Sequence, residues 1–132
     1  MGKKFEPVPN DVERAGKALL DAAYYVHTQL GPGLLESVYE ECLIRTLRKR
    51  GVQAANQVSL PITFDGETLE TGLRIDVLVE NSVIAELKSV DTVPPIVQSQ
   101  LLTYLRLTGQ RLGFLVNFNV IHLRDGIQRM VN

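Results

Sequence analysis

The run Leu73–Lys88, LRIDVLVENSVIAELK, constrains the fold of this chain more than any other stretch. Two apolar segments flank a short turn near Asn81-Ser82. Alternation puts Ile75, Val77 and Val79 on one face of the first strand, and Arg74, Asp76 and Leu78 on the other. On the second, Val83, Ala85 and Leu87 alternate with Ile84, Glu86 and Lys88. Strands this apolar belong in the middle of a sheet, where an unpaired carboxylate is costly. Either acid alone has a simple reading: Asp76 pairs with Arg74 or Lys88, and Glu86 faces solvent. Two acids and a lysine crowded among valine, leucine and isoleucine suggest more. Converging carboxylates suit a hard cation such as Mg2+, and a lysine beside them orients or activates a water. Register supplies a test. A two-residue loop would set Asp76 opposite Leu87, on the wrong face from Glu86. An odd loop or a bulge is predicted instead.

Upstream, two helices are predicted. The first starts at Asn10, with Glu13 completing a capping-box pattern, and runs to about Leu30. Its inner positions are Val12, Ala15, Leu19, Ala22, Ala23 and Val26. Gly31-Pro32-Gly33 stops it. The second covers about Leu35 to Arg50, with Leu35, Val38, Cys42, Leu43 and Leu47 inward. Val58, Leu60, Ile62 and Phe64 mark a first strand, and Pro61 makes it an edge or a bulge. Asp65-Gly66 signals a hairpin. A third helix spans about Ile96 to Thr108, and Leu112–Phe118 reads as a buried strand. The tail from Val120 has no clear pattern. The expected organisation is a loose arm over residues 1–9 and one α/β (α+β) domain over 10–132, with a central mixed sheet.

Composition narrows the function. Of 132 residues, 45% are hydrophobic and 22% charged, so the chain folds. A net charge of −1 argues against holding nucleic acid by bulk positive charge, and leaves a local patch open. The single cysteine, Cys42, excludes an internal disulfide and a cysteine-rich zinc site. No apolar run approaches a membrane span, and the N-terminus lacks a signal core. The expectation is a soluble cytoplasmic protein with no membrane partner.

Asp76 followed by Glu86-Leu87-Lys88 on the next strand resembles the D…ExK core of the PD-(D/E)XK nuclease superfamily. The order helix, three strands, helix, strand is similar to its restriction-endonuclease-like core. More narrowly, Gly33-Leu34-Leu35-Glu36-Ser37-Val38-Tyr39 matches the signature of the GxxExxY family, a small bacterial group within it. The likeness extends through VHTQLGPGLLESVYE, LRIDVLVE, AELKSV and QSQLLTYL, over roughly residues 10–118. The resemblance implies Asp76, Glu86 and the Leu87 carbonyl as ligands of Mg2+ or Mn2+. It implies that Glu36 reaches the ion directly or through water, and that Lys88 places the attacking water. Gln100 and Tyr104 match a QxxxY element that orients Lys88 or the scissile phosphate. The implied activity is metal-dependent phosphodiester hydrolysis, with DNA as the expected substrate. A core this small would need a second copy or a partner protein to find its target.

Other residues carry two readings each. His27 either ligates beside Glu36 or packs at the helix end. Tyr39 either bonds an acid of the site or fills the helix interface. Arg45, Arg48 and Lys49 either balance a helix C-terminus or contact nucleic-acid phosphates, and Arg74 and Arg106 are phosphate contacts nearer the site. The competing function is a catalytically silent nucleic-acid- or protein-binding module that keeps the nuclease fold.

Overall fold

The computed structural model describes residues 6–132. Residues 1–5, most of the expected arm, lie outside the described residues. The Glu6 carbonyl accepts a hydrogen bond from Arg111 (2.8 Å), and Val8 packs against the core. Among the described residues the elements are α1 (Asn10–Leu30), α2 (Glu36–Lys49), β1 (Ala54–Phe64), β2 (Glu67–Val79), β3 (Val83–Lys88), α3 (Pro95–Thr108), β4 (Leu112–Asn117), a 3-10 turn (Leu123–Gly126) and β5 (Ile127–Val131).

The strands form one mixed sheet in the order β1-β2-β3-β4-β5. Only the β3–β4 pair is parallel, as its helical crossover α3 requires. Helices cover both faces. Leu19, Ala22, Tyr39 and Leu43 of α1 and α2 bury Val83, Ala85, Leu87 and Phe114. Val97, Leu101 and Leu105 of α3 bury Ile75, Ile84 and Leu115 on the other face. This is a restriction-endonuclease-like α/β arrangement. No helix among the described residues is long and apolar enough to cross a membrane.

Several expectations shift. Glu13 does not cap α1: Pro9 holds the N-cap position, and Glu13 instead pairs with Arg129 of β5 (2.9 Å). The inner stripe of α2 is Tyr39, Leu43, Ile44 and Leu47. Leu35 is 75% exposed, because it stands at the N-cap of α2 and not within the helix. Pro61 lies on the edge strand at a bulge between Leu60 and Ile62, as its missing N–H demands. Gly72 faces that bulge, and a Cβ there would overlap the Leu60 carbonyl oxygen. β5 was not foreseen. Its burial pattern lacks clean alternation, and only Ile127 and Met130 are partly covered against the core.

The β2–β3 loop holds three residues, Glu80 to Ser82, with Val79 opposite Val83 and Val77 opposite Ala85. Glu80 and Asn81 take left-handed backbone (φ 50° and 54°), which turns the chain tightly. This odd count brings Asp76 and Glu86 level with one another.

Candidate active site

The site lies where β2 and β3 part. Their ladder ends at Val77–Ala85, although both strands continue in the direction of Asp76 and Glu86. Beyond it, the Leu87 N–H donates to Asp76 Oδ2 (2.9 Å) instead of to a β2 carbonyl. A side chain thus replaces the next rung. The Lys88 carbonyl accepts from the Phe118 N–H (2.9 Å) on the β4 side. Backbone groups alternate along a strand, so the Leu87 carbonyl turns toward β2 and Asp76.

A kink across the sheet explains how Asp76 comes to lie between its neighbours. Before it, Leu73 and Ile75 pack on the α3 side; after it, Val77 and Val79 pack on the α1–α2 side. Residues two apart normally share a face. On β1 the same exchange separates Ala54 from Val58 and Leu60. Between Asn56–Val77 and Val58–Ile75, Gln57 drops out of the ladder with φ 50°, a left-handed conformation unusual for a side-chain-bearing residue. Its amide donates to Glu40 Oε1 (2.7 Å) and its carbonyl oxygen accepts from Arg74 Nε (2.9 Å). Asn56 donates to the other Glu40 oxygen (3.0 Å). Glu40 therefore ties α2 to the kink, a role its place near the start of a helix did not reveal. Gln57→Val, whose branched Cβ resists positive φ, is expected to speed hydrogen exchange at the Leu87 amide by about tenfold or more. Gln57→Gly should leave that amide protected. Equal protection in wild type and Gln57→Val would show that Gln57 does not set the kink.

Glu86 is 7% exposed, and its Oε1 is buried without a hydrogen-bond partner. Burial pushes its carboxyl up to about 8, and the charge and contact of Asp76 push the same way. The Lys88 ammonium opposes this shift, and it also acts on Glu36. Glu36 is raised as well, first by partial burial and then by Asp76 and Glu40, against Lys88 and the Ser89 N–H. Glu36, Asp76, Glu86 and Lys88 therefore share one electrostatic neighbourhood. Among the described residues, however, no three His, Cys, Asp or Glu side chains converge as a metal-sized cluster. Glu36, expected to reach the ion directly or through water, stands in the field of Asp76 and Lys88. The Asp76–Glu86 pair fits a hard divalent cation. It offers two carboxylates, a backbone carbonyl on the same edge, and a buried oxygen lacking any partner.

The Gly33–Tyr39 segment sets the start of α2, where Glu36 stands. Gly33 adopts φ 94°, which only glycine takes readily. The buried Tyr39 hydroxyl donates to the Gly31 carbonyl (2.5 Å) and accepts from the Leu34 N–H (3.2 Å), and its ring stacks on Phe118 (4.4 Å). Tyr39 thus fills the helix interface and bonds the loop, not an acid. Ser89, next to Lys88, donates to the Leu34 carbonyl (2.6 Å) and fastens the loop to the end of β3. Asn117, buried in an apolar strand, holds both backbone groups of Val90 (3.1 and 2.9 Å). A lone amide inside LGFLVNF was the available signal for it. Sequence reading missed Ser89 and Asn117.

The remaining candidates lie as follows. Gln100 donates to Tyr104 Oη (2.7 Å), so the QxxxY pair bonds to itself, and Tyr104 packs on the α3-side core. His27 is buried, bonds the Val120 carbonyl (2.8 Å) and stacks on Phe118, which favours packing over ligation. Arg45 pairs with Glu41 (2.9 Å), and Arg48 donates to the Ala54 carbonyl (3.1 Å). With Lys49 they occupy the last turns of α2, a helix length of roughly 15–20 Å from its Glu36 end. Arg74 is held by Gln57, and Arg106 donates to Thr103 (3.2 Å).

Comparison with curated proteins and with solved structures returns no match. The family model of the PD-(D/E)XK nuclease superfamily matches residues 13–130. Its span takes in both carboxylates, the lysine and the Gly33–Tyr39 loop, and the chain belongs to the PD-(D/E)XK nuclease superfamily.

Proposed function

We propose that this chain is a divalent-metal-dependent nuclease of the GxxExxY group that hydrolyses phosphodiester bonds in DNA. The observation that carries the reading is the Asp76–Glu86 pair at the strand fork, with the Glu86 Oε1 buried and unpartnered. The GxxExxY assignment is supported by the way Gly33, Tyr39 and Ser89 together hold the loop that presents Glu36.

Asp76, Glu86 and the Leu87 carbonyl would hold Mg2+ or Mn2+, which supplies charge neutralisation at the phosphate and a more acidic water. Lys88 donates hydrogen bonds from its ammonium to a phosphate oxygen and to the attacking water, fixing the line of approach. Glu36 accepts a hydrogen bond from that water, which its position beside Lys88 favours. Asp76 has its orientation set by the Leu87 N–H, so no reorganisation is needed on binding.

The test pairs cleavage with binding. Purified protein should degrade or nick DNA with Mg2+ or Mn2+, lose that activity to a chelator, and give a saturable calorimetric signal with Mn2+. If Mn2+ gives no heat and DNA stays intact with either ion, the chain is a silent binding module on a nuclease fold.

A further inference from the structure

A cleft of about 620 Å³ opens beside the Gly31-Pro32 corner, between the end of α1 and the segment after β4. The chain has two histidines, His27 and His122, and both line it. Arg124 adds a full positive charge, and no carboxylate is among the lining residues. Arg124 takes no part in the three ion pairs among the described residues. Tyr24 and Ile121 expose apolar surface into the same region, at 42% and 82%. On a chain of net charge −1, a polyanion must be held by such a local patch.

The walls of the cleft are fixed to one another. A carbonyl only accepts, so His27 donates its Nε2–H to the Val120 oxygen and ties α1 to the opposite wall. Phe118 stacks against both His27 and Tyr39. The same corner connects the cleft to the site. A second depression of about 560 Å³ takes in Gly33, Leu34, Ser89 and Asn119. Gly33 follows the corner, and Ser89 follows Lys88.

We propose that this cleft binds a single-stranded segment of nucleic acid flanking the cleaved phosphate. Its base lies on Tyr24 and Ile121, and its phosphates lie on His122 and Arg124. Exposed aromatic and apolar surface beside cations serves an unstacked base. A duplex keeps its bases stacked and offers such a surface only its backbone. The inference rests on the nuclease reading and moves the nucleic-acid contact from the basic end of α2 to the corner that leads to Glu36.

The experiment measures anisotropy of a labelled oligothymidylate, and of a duplex of equal length, on the full chain in EDTA. The single strand should bind more tightly. Tyr24→Ala should weaken it about tenfold and Tyr24→Phe should restore it. The pair His122→Ala and Arg124→Ala should weaken it about tenfold and lower the salt slope by about one, for the Arg124 charge lost. Arg45→Ala and Lys49→Ala should leave it unchanged. Binding by the cleft variants equal to wild type, a preference for duplex, or no binding of the strand by wild type would each overturn the proposal. DNA cleavage with normal binding by the cleft variants would remove the cleft and keep the nuclease. Cleft-dependent binding without cleavage under any divalent ion would do the reverse.

Discussion

Asp76→Asn is expected to lower metal-dependent DNA cleavage by roughly 10²–10⁴-fold while leaving the fold intact. The amide oxygen of asparagine can still accept the Leu87 N–H, so the rung that Asp76 supplies survives. What disappears is the charge next to Glu86. Asp76→Ala removes both and should in addition free the Leu87 amide to exchange. The two variants therefore separate the electrostatic from the architectural role of one carboxylate. Lys88→Ala belongs to the same comparison. Lys88 acts on Glu36 and Glu86 together, so its loss removes the cation that faces both acids, with a cleavage defect of roughly 10²–10⁴-fold. Single-turnover cleavage in Mn2+, with circular dichroism as the folding control, reads these effects. Equal residual cleavage by wild type, Asp76→Asn and Lys88→Ala would mean that the activity comes from a contaminant.

The parts of this site visible in the sequence are those set by local periodicity. Alternation in LRIDVLVENSVIAELK is enough to level Asp76 with Glu86 once the loop count is odd, and the loop does hold three residues. The direction in which Asp76 points is another matter. It depends on the backbone of Gln57, which reaches its position only when β1 pairs with β2, and on Glu40 from a helix. Nothing within a few residues of Asp76 encodes either. The arginines of α2 show the same limit. Their spacing marks a basic helix end, but the carbonyl that takes Arg48 belongs to Ala54, past the turn. Tyr39 stood open between two roles because its partners lie on the loop before the helix, whose shape follows from Gly31 and Gly33.

Glu86→Gln is expected to stabilise the metal-free protein at pH 8 and to change it little at pH 5. Unfolded, the Glu86 carboxyl titrates near its ordinary value of 4.5; folded, it titrates at about 8. Below both values the two states carry the same proton, and Glu86 contributes no pH dependence. Between them the folded protein keeps a proton that the unfolded chain has released, so rising pH favours unfolding. Wild-type stability should therefore fall from about pH 4.5 to 8 relative to the glutamine variant. The difference should reach about 3 kcal/mol, allowing for proton sharing with Asp76. Glutamine fills the same volume and cannot ionise. Denaturant unfolding in EDTA at pH 5, 6.5 and 8 measures the difference; wild type minus variant cancels the groups that Glu86 does not act on, Glu36 among them, while the coupled Asp76 stays part of the difference. Divalent cations reverse the ranking. They require the carboxylate, so binding to wild type displaces the proton and Mn2+ affinity rises by up to about tenfold per pH unit below 8. The variant should gain little from Mn2+ at any pH. Parallel pH profiles for wild type and Glu86→Gln would mean that Glu86 is ionised throughout, and the buried pair would then lack the strain that cation binding relieves.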